Sequence, residues 1–485
     1  MLINKITSTF GDHSNLLPLF TKDVVNSTGM TAFSYDAGGK IEAKDRFIDE
    51  FGTQAIWMGG LPGFKWIIDN TAYKLAKMNP DVDVRLLKDK EQLSVAQNYA
   101  NSLKDKNFAK ILADTAAHTK KAQGLFLGKF AAATALTLAS FFTLVKVKQH
   151  YTKKEIEKQF WAKKSAELQY TNSLAQSPAF KAFMPANKAN TSDSNKQNNK
   201  NVSFKGLGSM LSGVMFDPVK NLFIVDVGIT GERLVNSRTK TEFAETAIKE
   251  GSLLFFLYVA GSYVQKGIEQ FSEKLMGKPI GLHAEVLASS YMNKDIASGK
   301  ADKDVNKVKE LINNVKTAKQ QYKTKQSDAA KESVKAAKKA LYEYIYSAEA
   351  QENTVIKAAK HSGTIKTIVN GSWWQKLTGK AQNTHKIDPY QFIKIGDIDA
   401  VADNIAKLSK QASGQKDLTK FLKSCRNMKI ASVAANMGIT CLFLGLIVPY
   451  SMMKYREKHQ DGKKEFHVQS EIEKQLEKSF KGRIA

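Results

Sequence analysis

Residues 430–453 read IASVAANMGITCLFLGLIVPYSMM, a stretch without one charged side chain. A bilayer core takes about 20 apolar residues of helix, so this run is long enough to span it with some tilt. A soluble helix of that length normally keeps a polar face. Arg426 and Lys429 stand before the run, and Lys454 and Arg456 follow it. The run predicts an all-α integral membrane protein, and the rest of the chain is read outward from it.

A second run, FAAATALTLASFFTLV at 130–145, reaches back to Gly124 with Lys129 as its one charge. That lysine can snorkel to the interface. Ala131, Ala135 and Ala139 recur at helical spacing, and small residues on one face let helices approach closely in lipid. Two shorter apolar stretches lie at 52–68 (GTQAIWMGGLPGFKWII) and 251–264 (GSLLFFLYVAGSYV). Gly59, Gly60, Pro62 and Gly63 break the first, and Lys65 lies inside it. Short stretches of this kind either cross or lie in the interface, and both options stay open. Trp57, Trp66, Trp373 and Trp374 suit an interface or a packed core.

The order of features recurs along the chain. Asp36-Ala37-Gly38 is answered by Asp226-Val227-Gly228, and Glu50-Phe51 with Ala55-Ile56 by Glu242-Phe243 with Ala247-Ile248. Ile68-Asp69 and Ile268-Glu269 follow, then Leu75 and Leu275, then Pro80 and Pro279. A long apolar run comes next in each, and EIEKQ closes the series at 155–159 and 471–475. This order predicts an internal duplication. After an N-terminal segment, 1–34, copy one covers 35–170 and copy two 206–485. Between them lies a linker, 171–205, whose NKANTSDSNKQNNKNVS has almost no large apolar residue to offset its ordering entropy. Each copy becomes a helical hairpin of two passes, with both basic tails on one side. The positive-inside tendency would make that side cytoplasmic, but the residues before 130 and before 430 are also Lys-rich, so charge barely separates the two orientations.

Copy two carries an insertion. Near 300–350, Val308, Leu311, Val315, Ala318 and Tyr322 keep a heptad rhythm. Ser327 or Asp328 can cap a second helix, on which Ala330, Val334, Ala337, Leu341 and Tyr344 resume it. The reading is a Lys-rich helical hairpin with a coiled-coil-like seam. Strand signals are confined to VDV around Val82 and FIVDV around Val225.

The chain of 485 residues carries 73 Lys and Arg against 47 Asp and Glu, a net charge of +26. That excess points to anionic lipid headgroups or an acidic protein partner, and leaves nucleic acid open. Cys425 and Cys441 cannot build a disulfide framework. Lys40 follows Gly38-Gly39 without the upstream glycine of a phosphate loop, and GLGSMLSG at 206–213 reads as a loop or packing segment. HExxH, GxSxG and CxxC are absent. No catalytic, cofactor or metal residue is therefore assigned, and no enzyme is expected.

Glu50, Glu242 and Glu245 precede the short apolar stretches, and Asp69 and Glu269 follow them. In a transporter, Glu50 and Glu242 would form a pseudo-symmetric pair of ion sites. In an anchor, these carboxylates sit at helix ends in the headgroup zone. The expectation is a non-enzymatic, membrane-anchored structural or interaction protein whose basic helices meet anionic lipid or an acidic partner. The alternatives are a small-solute transporter or channel built from two repeats, and a membrane-tethered nucleic-acid-binding protein. Lack of a disulfide framework and of a cleavable signal fits a multi-pass protein of a bacterial inner membrane and leaves an organelle membrane open.

Overall fold

Few prolines and long runs of Ala, Leu, Lys and Glu leave little to interrupt a helix. The computed structural model is accordingly helical almost throughout. It describes residues 2–11, 16–105, 107–175, 218–371, 382–459 and 467–484. Most of the linker 171–205, the segment 206–213, and Trp373 and Trp374 lie outside the described residues. The chain divides into two compact units. One comprises Met1–His13, Lys65–Ala133 and Ser262–Asn436; the other comprises Ser14–Phe64, Thr134–Gly261 and Met437–Ala485.

Both long apolar runs are helical. The first lies in Thr119–Ala175; the second lies in Leu418–Leu442 and continues through the π-helical turn Phe443–Ile447 into Val448–His459. Each is long and apolar enough to cross a membrane, and only 28% and 33% of their most apolar windows are buried. Leu136, Phe142, Leu442 and Leu446 stand about half exposed. The buried stripe of the first helix is Ala133, Thr137, Phe141 and Val145, continuing to Lys148, Thr152 and Ile156. Ala131, Ala135 and Ala139 point outward instead, which corrects the expected small-residue contact. The face that turns inward is the one that leads on to Lys148 and Thr152, which reach Asp49 and Asp45.

The stretch 52–68 is not broken by its glycines and proline. Leu16–Ala55 passes through a π-helical turn, Ile56–Gly60, into Leu61–Ile68 and a second π turn, Asp69–Tyr73. Pro62 enters at the start of Leu61–Ile68, where a π turn absorbs the lost amide. Lys240–Leu254 runs likewise through Phe255–Ala260 into Gly261–Met276. The two comparable π turns end 200 residues apart, at Gly60 and Ala260.

Each of these helices is preceded by one that folds back along it. Gly39 has φ 71° and ψ −161°, a conformation that favours glycine. The chain reverses there, so that Gln54 Nε2 donates to Ser27 Oγ at 2.7 Å. Pro218–Val235 lies back on the 240–260 helix in the same way, with the Tyr258 hydroxyl donating to Asp226. FIVDV around Val225 is therefore helix, not strand. A Cβ on Gly29 would stand 2.1 Å from the carbonyl oxygen of Gly445, so backbones meet directly at that crossing.

In the first unit the predicted hairpin is present as Lys300–Lys325 and Asp328–Tyr346. The Ser327 hydroxyl accepts from the Ala330 amide at 3.2 Å, as the cap reading required. Val308, Val315, Ala318 and Leu341 are buried, but Ile312 takes the core position assigned to Leu311, and Tyr322 stays exposed. The seam packs on Ile395–Ala412 and Lys90–Ser102, so the hairpin is built into the unit. Lys309 and Lys316 both pair with Asp399, and Lys338 with Asp89. Ser327→Ala is expected to cost about 1 kcal/mol, read as a lower melting temperature, because it leaves the first-turn amides without an acceptor. Val82 lies in a turn region. The one sheet among the described residues pairs Thr367–Asn370 antiparallel with Gln382–Ile387, and its register slips between Thr367 and Val369.

Candidate functional site

The second unit buries an ionic network that composition alone would place on a solvated surface. The 41–55 and 240–254 helices alternate carboxylates with basic residues, and folding turns those faces toward each other. Arg456, 1% exposed, grips two carboxylates at once. Its Nη1 and Nη2 donate to Glu42 at 2.8 and 2.7 Å, and its Nε and Nη2 donate to Glu245 at 2.7 and 2.8 Å. Arg238 does the same with the other two positions: Nη2 reaches Asp45 at 3.2 Å and Glu242 at 2.6 Å. Arg46 adds a contact to Glu245 at 3.3 Å.

The pairing has a pattern. In the 200-residue register of the π turns, Glu42 answers Glu242, Asp45 answers Glu245, and Glu50 answers Glu250. One arginine holds Glu42 with Glu245, and the other holds Asp45 with Glu242. Exchanging the two helices exchanges the two clamps. Lower down, Lys249 bridges Glu50 and Glu250, and Arg233 pairs with Glu250 and lies 3.5 Å from Asp49. Lys148 reaches Asp49 at 3.3 Å, and the Thr152 hydroxyl donates to Asp45 at 2.5 Å. Because positions 42 and 45 meet 245 and 242 while 50 meets 249, the two helices run in the same direction.

Burial opposes charge at Glu42, Glu242, Glu250 and Arg456; at Glu42 it prevails over Arg456 and holds the carboxyl above its ordinary value, while at the other three the neighbours win. Burial alone would lower Arg456, but Glu42 and Glu245 outweigh it and hold the guanidinium above its ordinary value. Burial would raise Glu242, but hydrogen bonds and charge from Arg238 bring it down to about 2. Arg233 and Lys249 bring Glu250 to about 2 in the same way. A carboxyl depressed in the folded state stabilises the fold above its unfolded pKa, and that contribution is lost as pH falls through the folded one. The contribution of Glu242 and Glu250 to thermal stability, read as the difference between the parent and Glu242→Gln with Glu250→Gln in detergent, should therefore be complete above about pH 5 and be lost progressively between about pH 4.5 and 2.

The first unit carries a simpler echo. Lys129 Nζ donates to both oxygens of Asp69 at 2.5 and 2.6 Å, and lies 5.5 Å from the Tyr73 ring. Lys429 Nζ donates to Glu269 at 2.7 Å. The acids stand 200 residues apart and the lysines 300.

All five carboxylates weighed from the sequence are thus in ion pairs. Glu50 does not stand opposite Glu242, because the register that matches the Glu-Phe dipeptides is eight residues away from the one the ion pairs follow. Asp45, Asp49, Arg233 and Arg238 went unremarked and Arg456 was read only as a flank of the apolar run, since nothing local marks a charge whose partner lies up to 414 residues away. Among the described residues no group of three or more His, Cys, Asp or Glu is arranged to hold a metal. The network binds helix to helix, and its charges are committed to one another. No known protein family, curated protein or solved structure matches the chain.

Proposed function

We propose that the chain is a non-enzymatic membrane protein of structural or interaction type, in which two related helical hairpins form the membrane anchor. The carrying observation is the spacing of its ionic residues along the helices. Glu50 to Asp69, Lys129 to Lys148 and Glu250 to Glu269 are each 19 residues apart. That is about 28 Å of helix, close to the roughly 30 Å of a hydrocarbon core. Between those limits the charges are only Lys65, Lys146 and Lys266, each within one turn of an ionic end and able to snorkel. Met58, Trp66, Phe255 and Tyr263 join the long runs in exposing large apolar surface. Exposed apolar patches of this extent mark a partner or a membrane.

The exchanged arginine clamps and the paired Lys129–Asp69 and Lys429–Glu269 bridges support a duplication with parallel copies. Corresponding ends then share a side of the membrane, so all four helices cross. Lys303, Lys307, Lys319, Lys323 and Lys325, exposed on the 300–325 helix, would meet anionic headgroups or an acidic protein, at about 1 kcal/mol per lysine near such a surface. The setting that fits is a bacterial inner membrane. Membranes from cells expressing the full chain, washed at alkaline pH in carbonate, test the anchor. The protein is expected in the pellet; release into the supernatant would remove the reading.

A second reading is favoured by one observation. Asp23 and Asp226 line one small cleft with Glu50, Trp57 and Arg233, each aspartate on a fold-back helix. Acids on paired elements beside apolar helices recur in transporters. Proton or cation flux into proteoliposomes, abolished by Asp226→Asn, would support a transport role. Flux no greater than in empty vesicles would exclude it for those ions.

A further inference from the structure

A cavity of about 610 Å³ opens in the first unit, within the range of small-molecule sites. Its walls come from helices Lys90–Ser102 and Thr354–His361 and from the strand Gln382–Ile387. The local structure explains which groups face it. Asn353 caps the 354–361 helix, its side chain accepting from the amides of Val355 and Ile356. Val355, Ile356, Ala358 and Ala359 turn into the core. Lys357, Lys360 and His361, three and four residues apart, are left on the opposite face toward the cavity. On the strand, His385 sits at φ 57°, an uncommon conformation for a residue with a side chain, and it brings itself and Lys386 to the rim.

Two chemistries meet there. Tyr99 and Tyr346 pack as a tilted pair with centroids 4.8 Å apart, and Tyr291 lies 5.5 Å from the His361 ring. Three lysines, Lys357, Lys360 and Lys386, share the lining with one carboxylate, Glu352, which Lys357 engages at 2.6 Å. Lys360 makes its bond to the uncharged Gln351. Burial pushes His361 below its ordinary value, so the ring is a neutral stacking surface near pH 7 and the lysines supply the charge. The cavity therefore offers aromatic faces together with excess positive charge.

We infer that this cavity binds a small aromatic anion of the nucleoside phosphate class, the base against Tyr99, Tyr291 and His361 and the phosphate against Lys360 and Lys386. Aromatic stacking tolerates any base, and ammonium groups recognise phosphate as point charges. An acidic peptide would use the lysines and leave the rings idle; an apolar ligand would leave the lysines unmatched.

The test is calorimetric titration of the full chain in detergent with AMP, adenosine and inorganic phosphate at low and physiological salt. AMP is expected to bind saturably at one site, at least tenfold more tightly than adenosine or phosphate alone. Lys360→Gln with Lys386→Gln, both at the cavity rim, is expected to weaken AMP at least tenfold while leaving adenosine unchanged. Tyr99→Ala is expected to weaken both AMP and adenosine. Absence of saturable AMP binding to the parent protein would overturn the inference, whatever the variants do. So would phosphate binding as tightly as AMP, which would make the site a bare anion sink.

Discussion

Arg456→Met is expected to cost about 3–5 kcal/mol of folding free energy, more than any other single change to the ionic network. The arginine makes two bidentate contacts while itself 1% exposed. Removing it leaves Glu42 and Glu245, both buried, facing each other with like charge. Arg46 remains 3.3 Å from Glu245 and keeps the loss toward the lower end of that range. Denaturant unfolding in detergent measures it. The triple variant Arg456→Met, Glu42→Gln, Glu245→Gln should recover most of the loss, because amides can bond each other without carrying charge into the interior. A single variant as stable as the parent would show that water reaches these carboxylates and that the network is not buried in solution.

The second large effect is expected from Leu136→Arg. Leu136 is about half exposed near the middle of the 124–145 run. If lipid surrounds that face, an arginine there costs about 2.5–3.5 kcal/mol on insertion scales. Carbonate-resistant protein should then fall several-fold, while Leu136→Phe should behave as the parent does. The two substitutions differ in charge far more than in size, so packing cannot account for a difference between them. Equal insertion of Leu136→Arg would mean that water wets the helix, and the anchor proposal would fall with it.

What could be read from the sequence was what neighbours in the chain determine. The charge-free length of 430–453 needed no tertiary knowledge, and neither did the cap at Ser327, whose signal lies within three residues of its partner. The pairs Ile68/Ile268 and Leu75/Leu275 already held the 200-residue register in which the π turns and ion pairs recur, but the match of Glu-Phe dipeptides pointed to another. Face assignments failed where two residues compete for one direction: Ile312 won over Leu311, and Phe141 over the alanines. The arginine clamps were illegible for a different reason. A Lys- and Glu-rich helix reads as solvated until another such helix is laid against it, and only the fold supplies that second helix. The glycines of 52–68 misled because a π turn lets a helix accommodate a proline that a regular helix would reject.

The clamp at Arg456 also sets a sequence of events during synthesis. Glu42 and Glu245 are made long before it, since they precede the arginine by 414 and 211 residues. Nascent segments generally fold in order from the N-terminus, yet here the arginine that both acids share is made after them, and until then Glu245 has Arg46 beside it. The Val448–His459 helix therefore works as a latch: a product truncated ahead of Arg456 lacks the guanidinium that joins Glu42 to Glu245.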